Sequence, residues 1–181
     1  MAAFATASEL ASWLQRDLDT ATATLALNIA SADIRKTVGW SISQESGVVV
    51  TLDGSGARSL WLPSLLVTAV ASVVEDSTTL TVVTGFDWTT YGRLIRVGRD
   101  WTYKPRSVVV TFTHGYTTDP DDVKGICLTL AGRVYDNPTA LRSYTVGGVS
   151  ETFAGSAGTL GPGLTDDEKI ALAGYRLPVL A

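Results

Sequence analysis

The 181-residue chain is poor in the groups on which most protein chemistry is built: it has one cysteine, one histidine and one methionine, and only 18% of its residues are charged. A lone Cys127 cannot form an intramolecular disulfide, so an oxidising compartment is not implied. A lone His114 leaves zinc without a ligand set and a Ser–His–Asp triad without a nucleophile elbow. Its Thr-His-Gly-Tyr setting reads as the end of a strand entering a turn. Cys127 falls on the apolar stripe of a helix and reads as a small buried hydrophobe. Asp119, Asp121 and Asp122 do not match the twelve-residue calcium loop, and helix capping accounts for them. The glycine-rich stretch from Gly155 to Gly163 lacks the lysine that a phosphate-binding loop needs. No catalytic residue, metal or cofactor is therefore expected. No apolar run approaches the roughly 20 residues of a membrane span. Met1 to Leu18 lacks a basic start followed by an apolar core, so no signal peptide is expected. A soluble protein made in the cytoplasm, with no membrane partner, follows. The net charge of −4 gives the whole molecule no field for nucleic acid.

What is abundant is apolar: 45% of the residues are hydrophobic, enough for a real core. With so few charges the surface must be rich in Ser, Thr, Gly and small apolar residues. Such a surface desolvates readily against partners. Thr6 and Glu9 have capping-box spacing ahead of Leu10, Trp13 and Leu14, which predicts a short first helix with Trp13 in its core. Asp19 or Thr20 caps an Ala-rich second helix, with Leu25, Ile29 and Ala32 on one face, stopping near Gly39. From Trp40 the period changes to two. Alternating apolar residues predict an antiparallel β module of five to seven strands up to residue 116. One hairpin is expected around Glu75-Asp76-Ser77 and another around Gly98-Arg99-Asp100. Val108, Val110 and Phe112 share one face of the clearest strand. The helical period then returns. Asp119 reads as N-cap, Pro120 as the first helical residue, and Val123, Ile126, Cys127, Leu130, Ala131 and Val134 as one stripe, ended by Asn137-Pro138. Ser143 to Phe153 alternates weakly, as an extended arm. Thr165 and Glu168 open a last helix carrying Ile170, Leu172 and Ala173.

The predicted fold is α+β: a small helical bundle from both chain ends, residues 1–39 and 117–181, with an antiparallel β module inserted over 40–116. The first two helices alone could not bury enough surface to stand as a domain.

Arg93, Arg96, Arg99, Lys104 and Arg106 lie among Tyr91, Trp101 and Tyr103, a combination that can bind single-stranded nucleic acid. The competing expectation is a solvated hairpin face, since strand alternation scatters these side chains over both faces. Trp40, Trp61, Trp88 and Trp101 fall in or beside the module. They suit a core or an interface better than a sugar platform, because Gln44 is the only side-chain amide there. Trp88, Arg99 and Trp101 are thus interface candidates.

The pattern Ala5-Thr6-Ala7-Ser8-Glu9-Leu10, with the second helix ending at Ile34-Arg35, resembles the N-terminal helix pair of head–tail connector (adaptor) proteins of tailed bacteriophages. The stretch Val109 to Pro120, VVTFTHGYTTDP, is similar to their junction of strand, turn, proline and helix. Asn137-Pro138, then Arg142-Ser143-Tyr144-Thr145-Val146-Gly147, then Leu164-Thr165 to Tyr175-Arg176, resembles their helix end, "Arg-Ser-x-x-Val-Gly" arm and closing helix. The resemblance covers most of the chain outside the β module. It implies a non-enzymatic virion protein of the neck, forming a homo-oligomeric ring of twelve. The ring would bind the portal protein on one side and the stopper or tail-completion protein on the other. It would extend a channel that passes double-stranded DNA without sequence-specific binding. The arm residues Arg142, Ser143, Tyr144, Val146, Gly147, Val149 and Phe153 are then the candidates for portal or subunit contacts. Another neck or tail-completion protein, or a β-rich module for nucleic acid or sugar, are the alternatives.

Overall fold

A computed structural model of the chain describes residues 2–138, 143–146, 149–152 and 163–177. In chain order the elements are α1 (Ala7–Leu14), α2 (Thr20–Val38), β1 (Glu45–Gly54), β2 (Ser59–Trp61), β3 (Val67–Glu75), β4 (Thr78–Leu80), β5 (Phe86–Trp88), β6 (Arg93–Arg96), β7 (Lys104–His114), α3 (Asp121–Asp136), β8 (Ser143–Val146), β9 (Val149–Thr152) and α4 (Asp166–Ala171), the last continued by a 3₁₀ turn over Leu172–Tyr175. The fold is α+β, as the alternation of periods predicts. The chain divides into two compact units, one of Met1–Gly39 with Asp119–Arg176 and one of Trp40–Thr118 with Leu177–Ala181.

In the helical unit, both capping boxes form. Thr6 N–H donates to Glu9 Oε2 at 2.8 Å and Glu9 N–H to Thr6 Oγ1 at 3.3 Å, and Thr165 and Glu168 repeat the exchange at the same two distances. Asp19 caps α2 by accepting from Thr22 N–H at 2.8 Å, and Gly39 ends it at φ 85°. The face that α2 buries is built mainly of small residues, Ala23, Ala26, Ala30 and Ser31, with Leu27 and Ile34. Against it α3 buries Val123, Cys127, Leu130, Ala131 and Val134. Gly132 of α3 lets α1 come close, since a Cβ there would stand 3.2 Å from a Leu14 methyl. Arg133 grips the Glu168 carboxylate through two hydrogen bonds, at 2.6 and 2.9 Å, and so ties α4 to α3.

Three local expectations are corrected. Trp13 is 55% exposed rather than in the core. The helix after Pro120 starts at Asp121, with Pro120 itself at the N-cap in extended backbone and no side-chain cap, so Asp119 caps nothing. In the last helix only Leu172 is buried, while Ile170 and Ala173 face solvent.

The β unit has seven strands in two antiparallel sheets, ordered β1-β7-β3-β4 and β2-β6-β5. β7 is central because it is long and apolar on alternate residues: Val108, Val110 and Phe112 are fully buried. They meet Val67 and Val73 of β3, and Leu60, Phe86 and Leu94 of the smaller sheet, in one hydrophobic core. The turn at Asp76-Ser77 joins β3 to β4, as expected, with both residues at positive φ. The hairpin expected around Gly98-Arg99-Asp100 does not form. β6 pairs with β2 and β5, and residue 101 is held instead by its N–H to Ala57 O at 3.0 Å.

Candidate interface surfaces

The arm is a hairpin. β8 and β9 pair antiparallel, Ser143↔Thr152, Tyr144↔Glu151, Thr145↔Ser150 and Val146↔Val149. Among the described residues no third strand joins them. The alternation read over 143–153 is therefore a strand pair closed on itself, where a single extended arm was expected. The backbones of Ser143, Tyr144, Val146 and Val149 lie in it. Arg142, Gly147 and Phe153, and the glycine stretch through residue 162, lie outside the described residues.

Of the basic and aromatic residues of the β unit, Trp101 and Arg96 are buried, while Tyr91, Arg99, Tyr103 and Lys104 are exposed. Trp101 is 1% exposed and belongs to the core, so it cannot anchor a partner. The physical reason is a buried carboxylate. Glu75, at the end of β3, accepts from Arg96 Nε at 3.0 Å, from the exposed Arg99 at 2.8 Å, and from both N–H and Oγ1 of Thr102 at 2.9 and 3.1 Å. This node pulls the segment 99–102 down over the core, and Trp101 with it. Burial alone would raise the Glu75 carboxyl, but the hydrogen bonds from Thr102 and Arg96 outweigh it and hold it below its ordinary value. Arg96 also donates to Gly85 O. Lys104 pairs with Asp76 at 2.7 Å, and Arg93 lies over the Trp61 ring. Arg99 is thus a surface residue with an intramolecular partner, and Trp88 is half-buried against the core.

One surface escaped the sequence reading. Leu25 and Ile29 of α2 are 61% and 46% exposed, and Ala32 beside them is exposed too. At about 100° per residue this stripe lies opposite the alanine face that packs on α3. Ala23, Ala26, Leu27, Ala30 and Ile34 have helical spacing of their own, and that face is the buried one.

The remaining reactive groups are inert by position. His114 stacks on Phe112, with ring centroids 5.1 Å apart, and faces Trp40 at 6.0 Å. Burial lowers its pKa, with Glu45 opposing. Burial pushes the Cys127 thiol up, partly offset by Ser31 at 3.4 Å. Among the described residues no cluster of His, Cys, Asp or Glu could hold a metal, and no helix is long and apolar enough to cross a membrane.

No protein-family model and no curated protein matches the chain. Solved structures do. A chain from the neck of a native gene transfer agent (GTA) particle, computed with C12 symmetry, aligns over 96% of this chain and 89% of its own, with a TM-score of 0.63 and 19% identity. A chain from the neck of the empty GTA particle, computed with C6 symmetry, gives a TM-score of 0.65, 18% identity, and coverage of 96% and 90%. A chain from the virion of the native particle gives 0.63, 19%, 96% and 90%. The chain has the fold of these proteins.

Proposed function

We propose that the chain is a non-enzymatic structural subunit of the neck of a tailed-phage-like particle. In this reading it forms a ring, with twelve copies the expected number, between the portal and the stopper or tail, and DNA passes through its channel. The observation that carries this is the shared fold over 96% of the chain with proteins of a particle neck.

Three features of the chain support it. A ring needs heterologous contacts, in which one patch of each copy meets a different patch of the next. The outer stripe of α2 offers one apolar patch, and burying what remains exposed of Leu25 and Ile29 would contribute about 1 kcal/mol each. The hairpin β8–β9 offers backbone groups that a neighbouring copy or the portal can extend by strand addition. The acidic net charge suits a channel that DNA must traverse without being held.

The test is a virion reconstruction together with particles made without this chain. The expected result is density for a ring of copies between portal and tail, and particles that leak genome or fail to join tails when it is missing. Intact, tailed and full particles without it would rule the reading out. Replacing residues 143–152 by a Gly-Ser linker should leave the monomer folded and abolish its retention on the portal.

A further inference from the structure

The turn between β4 and β5 holds a valine where such a turn favours glycine. Val83 sits at φ 72°, a left-handed backbone that β-branched side chains scarcely adopt. Its N–H donates to Phe86 O at 2.7 Å, and Gly85 N–H donates to Thr81 O at 2.7 Å. Gly85 lets the turn close, because a Cβ there would stand 2.9 Å from Thr81 O. The locked turn leaves Val82 43% and Val83 70% exposed. Glycine or asparagine would serve as a turn residue alone without the strain. What valine adds at this position is an apolar knob held clear of the surface. A knob already fixed loses little freedom when a partner buries it.

The same unit carries an apolar groove of about 300 Å³, lined by Leu52, Trp61, Leu62, Leu65, Tyr91 and Leu177. Trp61 and Tyr91 leave its walls wet, at 45% and 74% exposed. The lining carries no charge, and neither does the tip Thr81-Val82-Val83-Thr84. The space takes two valine side chains and is too small for a folded element. The sheets set knob and groove apart. In the orders β1-β7-β3-β4 and β2-β6-β5, Leu52 and Trp61 lie on the edge strands β1 and β2, while the knob joins the opposite edges β4 and β5. With strands about 4.8 Å apart, no copy can seat its own knob in its own groove. A second copy can. Complementary patches on opposite edges of one molecule make a head-to-tail contact, the kind from which rings are built.

We propose that Val82 and Val83 of one copy seat in the groove of the next, against its Trp61 and Tyr91. The contact stands on the β unit alone, and its closure into a ring rests on the neck reading. The test is sedimentation velocity of the whole chain over a range of concentrations, with two variants. Val83→Asn keeps the turn, since asparagine tolerates left-handed backbone, and removes the knob. Tyr91→Asp puts a charge into the groove at a side chain already mostly in water. The parent should grow through dimers and trimers as concentration rises. Each variant alone should associate about tenfold more weakly or not at all. Val83→Asn should melt no lower than the parent, because it relieves the strain. Mixed one to one, the variants should regain a dimer, because one intact knob then meets one intact groove. A parent that stays monomeric throughout would overturn the proposal. So would variants that associate like the parent, or a mixture without dimer. A virion reconstruction separates the two readings. A ring in which Val83 lies away from Trp61 of the next copy ends this contact alone, while particles without a ring end the neck reading instead.

Discussion

The Glu75 carboxylate and the Arg96 guanidinium meet at 3.0 Å inside the β unit, with 1% and 8% of their side chains exposed. A pair so placed is costly to halve, because the remaining charge stays buried without its partner. Glu75→Gln is expected to destabilise the β unit by about 3 kcal/mol, the low end for a broken buried pair, since the Gly85 and Val97 carbonyls still accept from Arg96. Arg99→Ala, which removes an exposed partner, should cost about 1 kcal/mol or less. Urea unfolding followed by tryptophan fluorescence measures both. Equal losses for the two variants would contradict the node.

The ion pair of Glu9 with Lys124 predicts acid behaviour in the helical unit. Hydrogen bonding to Lys124, then to the Thr6 backbone, holds the Glu9 carboxyl at about 2 against an ordinary 4.5. A carboxyl depressed on folding contributes stability that is complete above its unfolded pKa and lost as pH falls through the folded one. Melting temperature should therefore drop between about pH 4.5 and 2, and drop less in Glu9→Gln. Gln keeps the capping box, so the difference reports the charge.

His114 gives a second, separate slope. Burial depresses its folded pKa below the ordinary 6.5, so the unfolded chain takes up a proton first as pH falls. Stability is full above pH 6.5 and declines below it. His114→Phe, packed between Phe112 and Trp40, should flatten denaturation midpoints measured between about pH 7 and 5. A variant that keeps the wild-type slope would place its origin elsewhere.

The α2 stripe predicts separation of folding from assembly. Leu25→Glu with Ile29→Lys installs a favourable i, i+4 pair on the helix while erasing the apolar patch. The monomer should melt within a few degrees of the parent, because each exposed substitution changes stability by about 0.5 kcal/mol or less. Mass photometry with portal rings should show the loss of bound copies. Unimpaired binding would remove the stripe from the interface.

What could be read from the chain was what the chain decides locally. The pairs Thr6–Glu9 and Thr165–Glu168 cap their helices within one turn, and the alternation of Val108, Val110 and Phe112 is a property of one strand. What escaped depends on distant partners. β1 pairs with β7 across 50 to 69 residues, Glu45 opposite His114 at one end and Gly54 opposite Lys104 at the other. Glu75 reads as a turn residue until Arg96 and Thr102 close around it, and Trp101 reads equally as core or interface until that closure draws it inward. The α2 stripe is ambiguous for another reason: the helix has two apolar faces, Leu25 and Ile29 on one and Leu27 and Ile34 among alanines on the other, and hydrophobicity alone does not rank them. Of the proposed contact residues, the backbone pairing of 143–146 with 149–152 depends on register, which weak alternation does not specify.

The exposed face of α2 also governs how the free molecule behaves in a tube. Attraction between wet aliphatic groups strengthens with warming and with excluded salts such as sulfate. Copies that remain apart in cold, dilute buffer will cluster as either is raised, and urea at sub-denaturing levels will disperse them.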